Sequence, residues 1–164
     1  MFISNPSTAA IVECIRDNPP AAGESLAIFL AEDGAPDLAE LQAALCEQPV
    51  PFFGAVFPGV IHGRRSYSQG AVIKALPTLG GPVRISGLSA GSITIPPAPE
   101  GAETALVMVD GLTSRVALFL SELYKASGGG LHYFGGGAGS LSLQQAPCII
   151  CLLYTSTLPT NDQV

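Results

Sequence analysis

One pentapeptide has the residue types and the spacing of a catalytic nucleophile. Gly-Leu-Ser-Ala-Gly at 87–91 matches the G-x-S-x-G pattern, which exposes a serine on a sharp turn between a strand and a helix. Asp110 and His132 follow Ser89 in the order, acid then histidine, that such a hydrolase uses. However, β-branched residues and prolines follow the serine, where the pattern requires a helix. A small hydrolase built on Ser89 is therefore the alternative hypothesis, not the leading one.

A glycine-rich stretch is the second candidate for a site. Phe134 is followed by Gly-Gly-Gly-Ala-Gly-Ser, which ends at Ser140. The stretch is not a dinucleotide fingerprint, because Ser140 stands where the third glycine is required, and no Gly-Lys-Ser/Thr follows to make a phosphate loop. Glycine permits positive φ and the close approach of a backbone or a ligand. Two interpretations stay open: a turn packed against a related turn, or a turn that lines a ligand site.

The histidines and cysteines form no complete metal-binding pattern. Cys148 and Cys151 make a C-x2-C pair, but the other two cysteines are isolated and no second pair follows. His62 precedes Arg64 in a polar loop, where it could contact an anionic ligand or ligate haem iron, although a surface role is the expectation. We predict no metal site.

Alternating strands and helices must position these residues. Apolar runs and helical spacing predict helices within 5–20, 35–48 and 113–130. Strands are predicted at 26–33, 70–76, 82–89, 92–97 and 105–111, with a strand that runs into glycine turns at 50–61 and a strand followed by its turn from 131. In the last helix, Val116, Phe119, Leu120 and Leu123 share one face.

Two parts of the chain repeat the same order of elements. Ser-Leu-Ala-Ile-Phe-Leu-Ala-Glu-Asp-Gly, a helix and Pro-Phe-Phe-Gly parallel Thr-Ala-Leu-Val-Met-Val-Asp-Gly, a helix and His-Tyr-Phe-Gly. The fold class is therefore predicted to be α/β, with a mixed β-sheet built from two βαβ-like repeats and covered by helices. In both repeats, glycines are expected where the chain leaves the carboxyl end of a strand, which is where ligands collect in open α/β sheets.

Composition excludes several classes of protein. With 164 residues, 48% apolar and 12% charged, the chain is a single folded domain rather than a disordered segment. Its net charge of −6 argues against nucleic-acid binding, and it has no run of about 20 apolar residues for a membrane span. Since the N-terminus lacks the features of a secretion signal, a cytoplasmic location with reduced cysteines is expected.

The C-terminal residues look foreign to the domain. Cys-Leu-Leu-Tyr-Thr-Ser, beginning at Cys151, resembles the translation of a transposon-type sequencing adapter. The domain is therefore expected to cover 1–150 and to be incomplete at its C-terminus, with 151–164 as an adapter-derived tail.

The chain resembles the N-terminal domain of the FIST (F-box and intracellular signal transduction) family. The resemblance rests on Pro-Phe-Phe-Gly-Ala-Val-Phe-Pro-Gly-Val-Ile, Ala-Leu-Val-Met-Val-Asp-Gly and Phe-Gly-Gly-Gly-Ala-Gly-Ser, and it covers most of 24–150. It implies an intracellular sensory domain that binds small ligands such as amino acids, pairs with a C-terminal FIST half and acts on signalling output proteins. Some members are described as haem-containing nitric-oxide sensors. A further strand beyond Cys148, which the family has, is expected to be absent here.

The expected function is non-catalytic. A small molecule at the two glycine turns would favour one arrangement of the repeats and so pass a signal to a partner. The residues predicted to bind the ligand are Gly54, Phe57, Gly59, Arg64, Gly135, Gly136, Gly137 and Ser140. The cofactor, if any, is not identified, and a ligand-free protein-interaction domain is the other alternative.

Overall fold

The computed structural model describes residues 1–86, 88 and 93–152. Within them the chain forms nine strands and three helices. The strands are β1 (Phe2–Ile3), β2 (Glu24–Ala31), β3 (Phe52–Phe57), β4 (Val60–His62), β5 (Arg65–Tyr67), β6 (Ala71–Pro77), β7 (Thr104–Asp110), β8 (His132–Ala138) and β9 (Ile149–Cys151). The helices are α1 (Thr8–Asp17), α2 (Leu38–Cys46) and α3 (Val116–Ser127). None of the helices in this part of the chain is long and apolar enough to cross a lipid bilayer.

A five-stranded mixed sheet of order β1-β6-β2-β3-β9 contains the core. β2 lies at its centre, parallel to β3 and antiparallel to β6. Six of the eight β2 residues are buried because both neighbours and the helices cover it. A strand buried on both faces has a continuous apolar run, as residues 26–31 of β2 do.

Helices α1 and α2 pack against each other and complete this core. Ile11 and Ile15 of α1 and Leu41 and Leu45 of α2 are fully or almost fully buried, which confirms the helical spacing of the apolar residues. Each helix begins at a side-chain cap: the Ser7 side chain accepts a hydrogen bond from the Ala10 amide, and Asp37 accepts one from Glu40.

The second βαβ unit is smaller and less buried. β7 and β8 form a parallel two-stranded sheet joined through α3. Phe119 is the buried residue of α3, whereas Leu120, predicted on the same face, is 47% exposed. The four residues share one face of α3, as predicted, but a two-stranded sheet is too narrow to cover the full apolar stripe of the helix. The two βαβ units and the mixed sheet nevertheless confirm the predicted α/β class.

Equivalent glycines occupy the same place in the two units. Gly54 of β3 lies opposite Ile28 of β2, and Gly135 of β8 lies opposite Val107 of β7. A Cβ atom on Gly54 would come 2.1 Å from the Ile28 carbonyl oxygen, and one on Gly135 would come 1.7 Å from that of Val107. Gly54 and Gly135 to Gly137 therefore lie inside strands, and their predicted position in turns was wrong. These two glycines allow the parallel strands to approach closely.

The connection between β6 and β7 contains no strand in its described residues, 78–86, 88 and 93–103. The strands predicted at 82–89 and 92–97 are therefore wrong for 82–86, 88 and 93–97, while the remaining positions lie outside the described residues. Pro82, Pro96 and Pro97 explain the difference, because proline has no amide to donate to a ladder. Conversely, the short strands β1, β4 and β5 were not predicted.

Strand β9 is the further strand beyond Cys148 that was expected to be absent. It pairs antiparallel with β3, and Cys151 lies opposite Phe53. The outer edge of β9 bonds to Gln42 of α2. The Gln42 side-chain nitrogen donates to the Cys151 carbonyl at 2.7 Å, and the Gln42 side-chain oxygen accepts from the Cys151 backbone amide at 3.0 Å. Residues 153–164 lie outside the described part, and the domain boundary near 150 stays a prediction.

We predict that alanine at either of the two equivalent glycines destabilises the fold, whereas alanine at a third glycine nearby does not. Gly54→Ala and Gly135→Ala should each lower the free energy of unfolding by at least about 2 kcal/mol, because the new methyl group overlaps a backbone oxygen. Gly136→Ala is the control: its Cβ would meet nothing within 4 Å, so the change should stay within about 0.5 kcal/mol. Guanidinium unfolding measures all three. Equal losses would show that close strand approach is not why glycine is needed.

Candidate functional site

The segment between β8 and β9 ties the second unit to the main sheet. We call residues 139–148 the strap. At one end the Gly139 amide donates to the Val56 carbonyl at 2.9 Å, and at the other the Val56 amide donates to the Cys148 carbonyl at 2.9 Å. Both ends of the strap are therefore bound to one residue of β3.

Two carboxylates contact the middle of the strap. Glu32 follows β2, and its Oε2 accepts a hydrogen bond from the Leu141 amide at 2.8 Å. Asp110 ends β7, and its two oxygens accept from the Leu112 amide at 2.9 Å and from the side-chain amide of Gln145. The carboxyl ends of strands from both units therefore meet at the strap, as expected for an open α/β sheet.

The strap is strained and exposes apolar side chains. Leu143 has a φ of 55°, which a residue with a Cβ rarely adopts. Leu141 and Leu143 are both 75% exposed. A strained residue persists only where its surroundings hold it, and such residues concentrate at functional sites.

An open cleft of about 1350 Å³ lies beside the strap. β7, one side of α3, the β6–β7 connection and residues of β3 and β9 form its walls. Most of the lining is apolar, and Leu106, Phe119, Leu123 and Ile149 contribute to it. The polar lining includes Arg84, Asp110, Thr113, Ser114 and Gln145. An apolar cleft with a few convergent polar groups is the usual form of a small-molecule site.

The structure brings some of the predicted site residues together. Gly54 lines the cleft. Phe57 ends β3, where its carbonyl accepts from the Glu32 amide at 2.8 Å and its ring packs edge-on against Phe29, with the centroids 6.0 Å apart. Ser140 lies in the strap and hydrogen-bonds Ser142 at 2.6 Å. Phe57 and Ser140 therefore lie close to each other, linked through Glu32 and Leu141.

Other predicted site residues lie elsewhere. Gly59 packs near Tyr67, since a Cβ on it would come 2.8 Å from the Tyr67 carbonyl oxygen. Arg64 is exposed in the turn between β4 and β5. Gly136 and Gly137 are exposed in β8 and are not among the residues that line the cleft.

The histidines do not reach the cleft. His62 is exposed in β4 and stacks on Phe2, with the ring centroids 5.1 Å apart. His132 begins β8, at the opposite end of the β7–β8 ladder from Asp110. Over six residues of strand this separation is about 20 Å. Ser89 lies outside the described residues. In the described ranges, no three His, Cys, Asp or Glu side chains lie together as metal ligands would.

The pKa values of two cysteines are raised. Burial raises the pKa of the Cys148 thiol, and the nearby Asp110 charge raises it further. Burial likewise raises the pKa of Cys151, with Arg84 acting in the opposite direction. Because the thiolate is the reactive form, both thiols are held in their unreactive state.

Sequence reasoning missed the polar residues that organise the site. Glu32 and Gln145 contact partners more than 30 residues away, so local spacing gives no sign of them. A signal did exist for Asp110, because an acid directly after an apolar strand stands where ligands collect in α/β proteins.

Comparison with protein-family models matches residues 25–155 to the model described as FIST N domain. This confirms the resemblance inferred from the sequence. No curated protein and no solved structure matched the chain.

Glycine should be better tolerated at one strap leucine than at its neighbour. Leu143→Gly relieves the strain of a side chain in the left-handed backbone region, and this gain offsets the conformational entropy that glycine loses on folding. Leu141→Gly has the same entropic cost without the gain. We expect Leu143→Gly to be more stable than Leu141→Gly by about 1 kcal/mol in urea unfolding. Both leucines are equally exposed, so hydrophobic burial does not separate them. Equal stabilities would contradict the strain at Leu143.

Stability should fall in alkaline solution, in part through Cys148. Its folded pKa lies above the ordinary value of 9.0, so the folded state holds the proton more tightly than the unfolded state. The resulting stability is fully present below the unfolded pKa and is lost as the pH rises through the folded pKa. Urea unfolding between pH 8 and 10.5 should show a shallower decline for Cys148→Ala than for the exposed control Cys46→Ala. Identical slopes would exclude this contribution.

Proposed function

Since the chain belongs to the FIST N domain family of signal-transduction sensory domains, we propose that it binds a small molecule in the cleft and relays the bound state to a signalling partner. The observation that carries the proposal is the open cleft of about 1350 Å³ beside the carboxyl ends of the strands. This volume exceeds what most small-molecule sites need, so a metabolite would fit.

The lining suggests the chemistry of the ligand. Apolar walls from β7 and α3 favour a hydrocarbon or aromatic body. Asp110 and the Gln145 side chain offer oxygen acceptors, which suits a ligand with an amine or another hydrogen-bond donor. We therefore propose a small, mainly apolar molecule with one donor group, of which an aromatic ring carrying an alkylammonium group is the simplest example.

The residues predicted from the sequence to bind the ligand lie at different places relative to the cleft. Gly54 lines the cleft directly. Phe57 and Ser140 lie next to the cleft, where Glu32 links β3 to the strap, so a change in the relative position of the two βαβ units would move them. For Gly59, Arg64 and Gly135 to Gly137, the ligand contact predicted from the sequence stays a prediction.

The hydrolase alternative is less favoured. Asp110 hydrogen-bonds Leu112 and Gln145, and the ladder register puts His132 at the far end of β8. A triad needs its acid and histidine within hydrogen-bond reach. The signalling partner is proposed to be a C-terminal FIST half or an output protein, and the protein is proposed to act in the cytoplasm.

A panel of small aromatic and aliphatic amines and amino acids, tested by thermal shift, examines the proposal. A ligand at about 100 times its Kd adds about 2.7 kcal/mol, which raises Tm by roughly 5–10 °C for a chain of this size. Ala126→Trp should abolish the shift because Ala126 lines the cleft. Ala117→Trp should preserve it, since Ala117 is an exposed alanine of the same helix that does not line the cleft.

Two outcomes would argue against the cleft. If both tryptophan variants respond as the parent protein does, the ligand binds elsewhere. If no compound shifts Tm, a ligand-free interaction domain becomes the better account.

A further inference from the structure

The middle of the strap is attached to the rest of the fold by few contacts. Between its two ends, the strap makes two hydrogen bonds to other segments within the described part of the chain, and both are to carboxylates. Its remaining bonds there are internal: Leu143 to Ser140, Ser140 to Ser142, and Gln144 to Ser142. With its ends bound to Val56, the middle of the strap therefore depends on Glu32 and Asp110 for its position.

These two carboxylates belong to different βαβ units. Glu32 directly follows β2, and Asp110 is the last residue of β7. The strap thus bridges the two units, and a change at either carboxylate alters how firmly they are joined. Strain at Leu143 works against the closed position, since a leucine at φ 55° gains by leaving it.

We propose that the strap is a latch held shut by Glu32 and Asp110, and that a donor-bearing ligand in the cleft opens it by competing with Gln145 for the Asp110 carboxylate. Opening of the latch by a ligand rests on the proposed function. The latch itself depends on the strap contacts alone.

The competition follows from the position of the two side chains. Asp110 and Gln145 both line the cleft, so a ligand there meets their hydrogen bond directly. An ammonium group bonds a carboxylate more strongly than a neutral amide does, because the charge assists the bond. Loss of the Gln145 contact leaves Glu32 as the one carboxylate on the middle of the strap within the described residues.

Cys148 reports the state of the latch. It lies at the end of the strap, is 6% exposed and hydrogen-bonds Val56 through its carbonyl. Burial and the Asp110 charge both raise the pKa of its thiol and slow its reaction with alkylating agents. Opening of the strap weakens both effects. Cys151 is also buried but lies in β9, beyond the strap, so it reports general loosening instead.

The first arm of the test needs no ligand. Iodoacetamide alkylation of each cysteine in the full chain is followed by peptide mass spectrometry. Glu32→Ala and Gln145→Ala should speed alkylation of Cys148 on the order of tenfold, since each removes a hydrogen bond to a charged group. The rate at Cys151 should stay unchanged.

Neighbouring residues of the same kind provide controls. Asp33→Ala and Gln144→Ala should leave the Cys148 rate unchanged, because neither side chain makes a hydrogen bond in the described ranges. Parent-like rates in Glu32→Ala and Gln145→Ala would overturn the latch. Equal acceleration at Cys148 and Cys151 would also overturn it, because the protein would then be loosening as a whole.

The second arm uses benzylamine, an aromatic ring with one ammonium group. Calorimetry should detect binding that weakens in Asp110→Asn, and saturating benzylamine should raise the Cys148 rate of the parent chain toward that of Gln145→Ala. Binding without faster alkylation would overturn the coupling between cleft and strap. Absence of benzylamine binding would overturn the ligand chemistry, whereas the variants of the first arm decide the latch independently.

Discussion

The backbone of Val56 joins the two halves of this protein. Its carbonyl accepts from Gly139, where β8 ends, and its amide donates to Cys148, where β9 is about to begin. One edge of β3 therefore pairs with β2. The other edge pairs with β9 and, at Val56, also bonds the chain that leaves β8. The strap begins and ends at this residue, and its middle contacts the carboxyl ends of both parallel pairs through Glu32 and Asp110. The position of the cleft, between β7 and the β3–β9 edge, follows from the same attachment.

The two βαβ units share a plan but differ in how much they bury. In both, a glycine in the second strand lets it approach a carbonyl of the first, at Ile28 and at Val107. β2 is covered on both faces, whereas most of β7 is half-buried and β8 is largely exposed. Fewer buried apolar contacts mean that the second unit opens at a lower free energy than the first. Binding elements are drawn from the less stable parts of proteins, and the cleft lies against this unit.

The sequence predicted the long, periodic elements and not the contacts between them. α1, α2 and β2 follow from apolar spacing because the buried side chains themselves repeat with the period of the element. The glycines of β8 predicted a turn instead of a strand, because a strand segment without side chains has no alternating pattern and a run of glycines has the composition of a turn. The apolar residues near Pro82 and Pro96 had the composition of strands, but prolines prevented pairing, and Ile85 and Ile95 line the cleft instead.

For the site, Asp110 could be found from its place after a strand, whereas Glu32 and Gln145 could not, because their partners are fixed only by the folded topology.

For the proposed latch, a carboxylate is well suited to hold a segment that must also be released. A backbone ladder would bind the strap through several bonds at once, and opening would require that they break together. A single side-chain oxygen binds through one charge-assisted bond, which another donor can replace without exposing an unpaired acceptor. Because Asp110 keeps its bond to the Leu112 amide through its other oxygen, exchange of Gln145 for a ligand leaves the carboxylate anchored at the end of β7. The same residue can therefore hold the strap and face the cleft, and a sensory domain needs that combination in order to convert occupancy into movement.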